Sequence, residues 1–168
     1  MEIHRFEKLW LAAGILLIVG FIATVTYGAV GEGVAMVNDD GGTIDPTKVS
    51  EDANFSDPGV EQVGPHEYEA HIVAQQFLFK PGTSTPIRVP ANSTVTFYVT
   101  SSDVVHGFNI VGTNVNTMVI PGQVAKMKVR FEEPREYGIV CNEYCGAGHH
   151  TMAGTIEVVP EDDYEGGA

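Results

Sequence analysis

Basic residues are scarce in this chain of 168 residues: nine Lys and Arg stand against 22 Asp and Glu, a formal net charge of −13. Residues 1–30 hold Glu2, Glu7, Arg5 and Lys8, so the whole acidic excess lies beyond residue 30. Such a surface repels phosphates and gives the attraction behind nucleic-acid binding the wrong sign, so no nucleic-acid partner is expected. The C-terminal two thirds also lack any long run of helical period. With 19 glycines and 9 prolines, that points to short strands joined by turns. There is no internal repeat or low-complexity tract, and the length suits one ordinary domain with a short appendage. The acids are scattered through several segments, which favours adaptation of the surface to high salt over a docking face for a basic partner.

One apolar stretch breaks the polar pattern. Leu9–Tyr27 runs nineteen residues without a charge, close to the roughly 20 needed to cross a hydrocarbon core as a helix. A cleaved signal peptide is the competing reading, with Tyr27-Gly28-Ala29 as a loose cleavage site, but secretory cores are usually only about 7 to 15 residues long. Arg5 and Lys8 precede the span and no base follows until Lys48, which places the N-terminus in the cytoplasm and the rest outside a cell membrane crossed once. Trp10, the sole tryptophan, and Tyr27 sit near the two ends of the span, where amphipathic rings favour the lipid headgroups. Residues 31–65, rich in Gly, Asp, Asn and Pro, read as a linker.

Past the linker, apolar segments alternate with turn residues: His66–Gln75, Ile87–Val89, Thr94–Thr100, His106–Val111, Val115–Ile120, Val124–Phe131, Tyr137–Cys141 and Met152–Val159. In Val124–Phe131 the alternation turns Ala125, Met127, Val129 and Phe131 inward and Lys126, Lys128 and Arg130 outward. Eight short strands of this kind predict an all-β, Greek-key β-sandwich over residues 66–160, with an acidic tail at 161–168.

The chemistry concentrates at one place. Cys141-Asn142-Glu143-Tyr144-Cys145-Gly146-Ala147-Gly148-His149-His150-Thr151-Met152 holds two thiols, an imidazole and a thioether within twelve residues. Thiolate and thioether select copper over hard cations, and imidazole suits copper too. Gly146 and Gly148 let a tight loop gather these groups. His106, before Gly107-Phe108, opens another strand and a sandwich could bring it to the loop. A Cys141–Cys145 disulfide competes, since oxidising compartments favour one, but it leaves the His and Met spacing unexplained. A zinc site of two Cys and two His would not need Met152, and a mononuclear blue-copper site would not need the second cysteine. His4, His66 and His71 read as surface or ordinary strand residues, and Asp103 as either a turn residue or an acceptor orienting His106.

The pattern Cys-x-Glu-x-Cys-x-x-x-His-x-x-Met, preceded by a distant His, resembles the CuA-binding motif of cytochrome c oxidase subunit II, with every position filled. The closest form is the single-helix subunit II of B-family heme-copper oxidases, which Ser102-Asp103-Val104-Val105-His106-Gly107-Phe108 also fits. The resemblance implies a cupredoxin-like sandwich and two copper ions in a dinuclear centre. Cys141 and Cys145 would bridge the metals, His106 and His149 would ligate one each, Met152 would bind one and the Glu143 carbonyl the other. It also implies electron entry near Phe77, a proton-path entrance at Glu7, a heme-containing subunit I as partner, and cytochrome c or a small blue-copper protein as donor. Alternatives are the CuA subunit of a nitric oxide reductase or a membrane-tethered copper carrier. Arg135 reads either as a turn charge or as an aid to electron exit.

Overall fold

The computed structural model describes residues 4–30, 36–38 and 41–166. Parts of the expected linker, 31–35 and 39–40, and the end of the expected acidic tail, 167 and 168, lie outside the described residues. The chain divides into two units, Met1–Val34 and Ala35–Ala168.

The first unit is carried by helix α1, Arg5–Val30, 26 residues or about 39 Å at 1.5 Å per residue. Its start is closed locally: the His4 N–H donates to Glu7 Oε2 at 2.9 Å while the Glu7 N–H returns to the His4 carbonyl at 2.9 Å. Its apolar stretch Arg5–Gly28 buries none of its length against protein. A helix apolar all round and long enough to span a bilayer has lipid as its natural surroundings.

The second unit is built of strands β1 (Met36–Asn38), β2 (Val60–Gly64), β3 (Glu67–Gln75), β4 (Leu78–Lys80), β5 (Ile87–Pro90), β6 (Ser93–Ser101), β7 (His106–Ile110), β8 (Asn116–Val119), β9 (Ala125–Phe131), β10 (Arg135–Val140) and β11 (Ala153–Val159). One sheet runs β1-β9-β6-β3-β2 with β4 also on β3, and the other β5-β11-β10-β7-β8. Each of the eight expected segments contains a strand. The added ones, β1, β2 and β4, are three to five residues long, too short for a period of two to show in sequence. In β9 the alternation holds from Met127 on: Met127, Val129 and Phe131 are buried and Lys128 and Arg130 exposed, while Ala125 and Lys126, expected inward and outward, are both half-buried.

The inward faces meet in one aromatic-rich core. Phe108 packs edge-on to Phe79 at 5.6 Å and lies 6.0 Å from Phe97, which reaches Phe131 at 6.2 Å. Cys141, Cys145 and Met152 belong to this same buried cluster. Residues 43–64 differ from the plain linker expected of their composition. Thr43 bridges Gln123, Val49–Glu51 forms a 3-10 turn, and Val49 and Phe55 are buried with Val73 and Val124 in a second small cluster. The segment covers a sheet face with isolated apolar residues, and isolated residues carry no period.

Candidate metal centre

Strand pairing brings the donor groups together. β10 and β11 are antiparallel, with Val140 opposite Ala153, so residues 141–152 form the loop between two neighbouring strands. On the other side of β10 lies β7, also antiparallel, with Val140 opposite Asn109. The first residue of β7, His106, therefore lies at the same end of the sheet as the loop. Within the loop, the Cys141 N–H donates to the Met152 carbonyl at 3.2 Å, the His149 N–H to Gly146 at 3.0 Å and the Met152 N–H to His149 at 3.1 Å. This folds the twelve-residue segment back on itself.

The result is a compact set of soft donors. Cys141 Sγ lies 3.8 Å from Cys145 Sγ, 3.9 Å from His106 Nδ1 and 3.2 Å from the Glu143 carbonyl oxygen. Cys145 Sγ lies 3.7 Å from both His149 Nδ1 and Met152 Sδ. Both cysteines are free thiols, so the pair is not spent on a disulfide. His106 is fully buried, and Cys141, Cys145 and Met152 are 7%, 4% and 2% exposed. The Glu143 side chain is exposed and only its carbonyl faces the thiols. Burial, with the Cys141 thiol alongside, pushes the Cys145 thiol up to about 11. The metal-free Cys145 thiol therefore keeps its proton, and a thiophilic cation would displace it on binding. Two thiols, two imidazoles and a thioether gathered round the two cysteine sulfurs, with all but the half-buried His149 buried, form a donor set that suits copper.

A hydrogen-bonded network surrounds the donors. Asp103 Oδ1 accepts His106 Nε2–H at 2.8 Å, leaving the Nδ1 lone pair directed at the thiols. Burial raises the Asp103 carboxyl, but hydrogen bonds from His106, the Gln76 N–H and the Val104 N–H outweigh it and hold the group below its ordinary value. Of the two roles read from sequence, Asp103 therefore has the geometry of the acceptor orienting His106. Two residues that the motif did not single out join it. The Gln76 amide donates to the Cys145 carbonyl, and the Asn142 amide donates to Asn116 Oδ1 of β8 at 2.8 Å. Neither has a sequence signal, because each partner is distant in the chain.

The other expected residues take varied places. Phe77 is half-buried against the ligand loop: a Cβ built on Gly148 would come within 2.5 Å of its ring, so glycine there is what admits the aromatic. Tyr144 is 79% exposed, its ring 5.9 Å from that of His149. His150 points to solvent. Glu7 lies in the first turn of α1, where its carboxylate caps the helix. Arg135 stacks over Tyr137 at 4.9 Å, at the end of β10 away from the ligand loop. His66 pairs with Glu161 at 3.5 Å, and His71 is a strand residue of β3, as read from sequence, half-buried in a stack with Tyr98 at 5.0 Å.

Residues 65–159, the sandwich with its donor loop, match the family described as cytochrome c oxidase subunit II, periplasmic domain. The chain belongs to this subunit II family. Among relatives, a cytochrome c oxidase subunit 2 of Thermus thermophilus is 40% identical over 160 residues, 93% of both chains. A second from the same species is 44% identical over 117 residues, 68% of this chain and 84% of its own. Among solved structures, subunit II here is similar to a chain of a heme-copper terminal oxidase dimer determined by cryo-EM, at 34% identity and a TM-score of 0.65, covering 92% of this chain and all of that one. The periplasmic domain of subunit II of cytochrome oxidase from Bradyrhizobium japonicum shares the fold at 19% identity and a TM-score of 0.52, over 56% of this chain and 86% of its own. The cupredoxin-like sandwich expected from the motif is thus the fold of the domain.

Proposed function

We propose that this chain is the electron-entry subunit of a heme-copper terminal oxidase, and that Cys141, Cys145, His106, His149, Met152 and the Glu143 carbonyl hold a dinuclear copper (CuA) centre. The observation that carries the reading is the convergence of two free thiols, two imidazole Nδ1 atoms and a thioether, each within 3.9 Å of a cysteine sulfur. When bound, a copper pair would supply one-electron redox chemistry, passing electrons on without binding a substrate.

The protein's own residues do the rest. Cys141 and Cys145 would give their thiolates to the pair, His106 and His149 would each give Nδ1, and Met152 and the Glu143 carbonyl would complete the set. No position stays open for a substrate, unlike the vacant site of a catalytic metal. Burial of Cys141, Cys145, Met152 and His106 in the core excludes water. Asp103 keeps His106 in the tautomer whose Nδ1 is free. Phe77, packed on Gly146 and Gly148, marks the side from which cytochrome c or a blue-copper protein would deliver electrons. Electrons would leave for heme in subunit I, where oxygen is reduced to water. Helix α1 anchors the chain by a single pass, with Arg5 and Lys8 holding the N-terminus in the cytoplasm and the copper domain on the outer face. Glu7 at that inner edge would be open to water and able to collect protons, besides capping the helix. The family match favours an oxidase over a nitric oxide reductase subunit or a copper carrier.

The full chain, purified in detergent and loaded with copper, tests this by electron paramagnetic resonance, visible absorption and metal analysis. Two coppers per chain sharing one unpaired electron are expected, and Cys141→Ser or Cys145→Ser should abolish that signal. A single copper, or zinc alone, would refute the assignment.

A further inference from the structure

Gln76 stands between the two segments that carry the donor groups. Its backbone N–H donates to Asp103 Oδ2 at 2.8 Å, and the other oxygen of the same carboxylate holds His106 Nε2 at 2.8 Å. Its side-chain amide crosses in the other direction and donates to the Cys145 carbonyl. One residue of the β3–β4 turn thus touches both the His106 side and the Cys145 side of the site.

The turn is itself well fixed. Gln75 Nε2 donates to Ser102 Oγ at 2.9 Å, the Ser102 N–H reaches the Ala74 carbonyl at 3.3 Å, and Ser101 Oγ donates to the Val104 carbonyl at 2.5 Å. The first two bonds staple the ends of β3 and β6 and the third folds the chain that follows β6, so Gln76 projects from a rigid base. The ligand loop is less anchored at that point. Its internal backbone bonds are donated by Cys141, His149, Thr151 and Met152. The Cys145 carbonyl takes its bond from Gln76 instead. Gly146 makes room for this: a Cβ there would lie 2.7 Å from Gln76 Nε2 and 3.1 Å from the Phe77 ring.

We propose that Gln76 is a positioning residue, clamping the Cys145 end of the ligand loop to the Asp103–His106 pair and holding the two thiols in place before any metal arrives. In its account of what the loop is held for, this rests on the copper-site reading. The clamp itself is a property of the metal-free chain.

Gln76→Leu keeps the backbone N–H to Asp103 and removes only the side-chain donor, and Gln62→Leu, at an exposed position of β2 whose amide bonds only the nearby Gly64 carbonyl, serves as the control. In the copper-free full-length chain in detergent, the rate at which a small thiol reagent modifies Cys145, located by mass spectrometry, reports opening of the loop. The expected result is a rise of roughly three- to tenfold in Gln76→Leu, the weight of one hydrogen bond, with Gln62→Leu near wild type; the melting temperature of Gln76→Leu should fall by only a few degrees, leaving the chain folded at the labelling temperature. After copper loading, Gln76→Leu should also show altered copper hyperfine splitting or a shifted visible band, which Gln62→Leu should not. Equal Cys145 rates in wild type and Gln76→Leu, or equal rises in both variants, would overturn the clamp. A wild-type chain that fails to take up copper would sink the oxidase reading and leave the thiol-reactivity result standing.

Discussion

At the scale of single residues, His106 and His71 show how surroundings assign different work to one side chain. Asp103 at 2.8 Å fixes one nitrogen of His106 and frees the other. His71 lies against Tyr98 at 5.0 Å and Phe55 at 5.4 Å, and burial pushes its pKa below 6.5 although Glu69, Glu61 and Asp52 pull it upward. The folded state therefore binds the His71 proton less readily than the unfolded chain does. Its neutral form contributes fully above pH 6.5, and that contribution is lost as pH falls below 6.5 toward the lower folded value. His71→Phe should lose less melting temperature than wild type between pH 7 and pH 5. A difference between the two proteins that stays constant over that range would remove His71 from the acid response. The donor groups of residues 141–152 were legible in the chain because their spacing is local. Gln76 was not, since its partner Cys145 lies 69 residues away.

At the scale of elements, the two units follow different rules. Helix α1 has no polar face, and its apolar run is long enough in sequence to cross a bilayer. A charge at its centre would have to enter hydrocarbon, at a cost of about 2.5–3.5 kcal/mol on insertion scales. Ile18→Arg should therefore move a large share of the chain out of the membrane-integrated fraction, as measured by alkaline extraction. Unchanged retention would count against the span. In the sandwich, β9 was legible from its alternation because one face is core and the other solvent. β1, β2 and β4 were not, and neither was the packing of residues 43–59, whose apolar members Ile44, Val49 and Phe55 are spaced to cover a face rather than to line a strand.

At the scale of the whole molecule, charge is the dominant feature. An excess of 13 negative charges beyond residue 30 repels itself over distances of about 10 Å at 0.1 M salt, shrinking to about 3 Å at 1 M. If the acids form a solvated, salt-adapted coat, raising sodium chloride from 0.1 to 1 M should lift the melting temperature on the order of 4 °C, equivalent to about 1 kcal/mol. A melting temperature indifferent to salt would return the acids to the docking face considered from sequence.

The sequence by itself determined the class of fold, the apolar span, the donor types and the loop that carries most of them. These depend on short-range order: period, turn residues and spacing within twelve positions. Tertiary structure alone decided that His106 reaches Cys141 from 35 residues away, that the Gln76 amide meets the Cys145 carbonyl, and that residues 43–59 cover a sheet. Those outcomes follow from which strands pair and in what register, an energy minimum reached by the chain as a whole rather than a property of any segment.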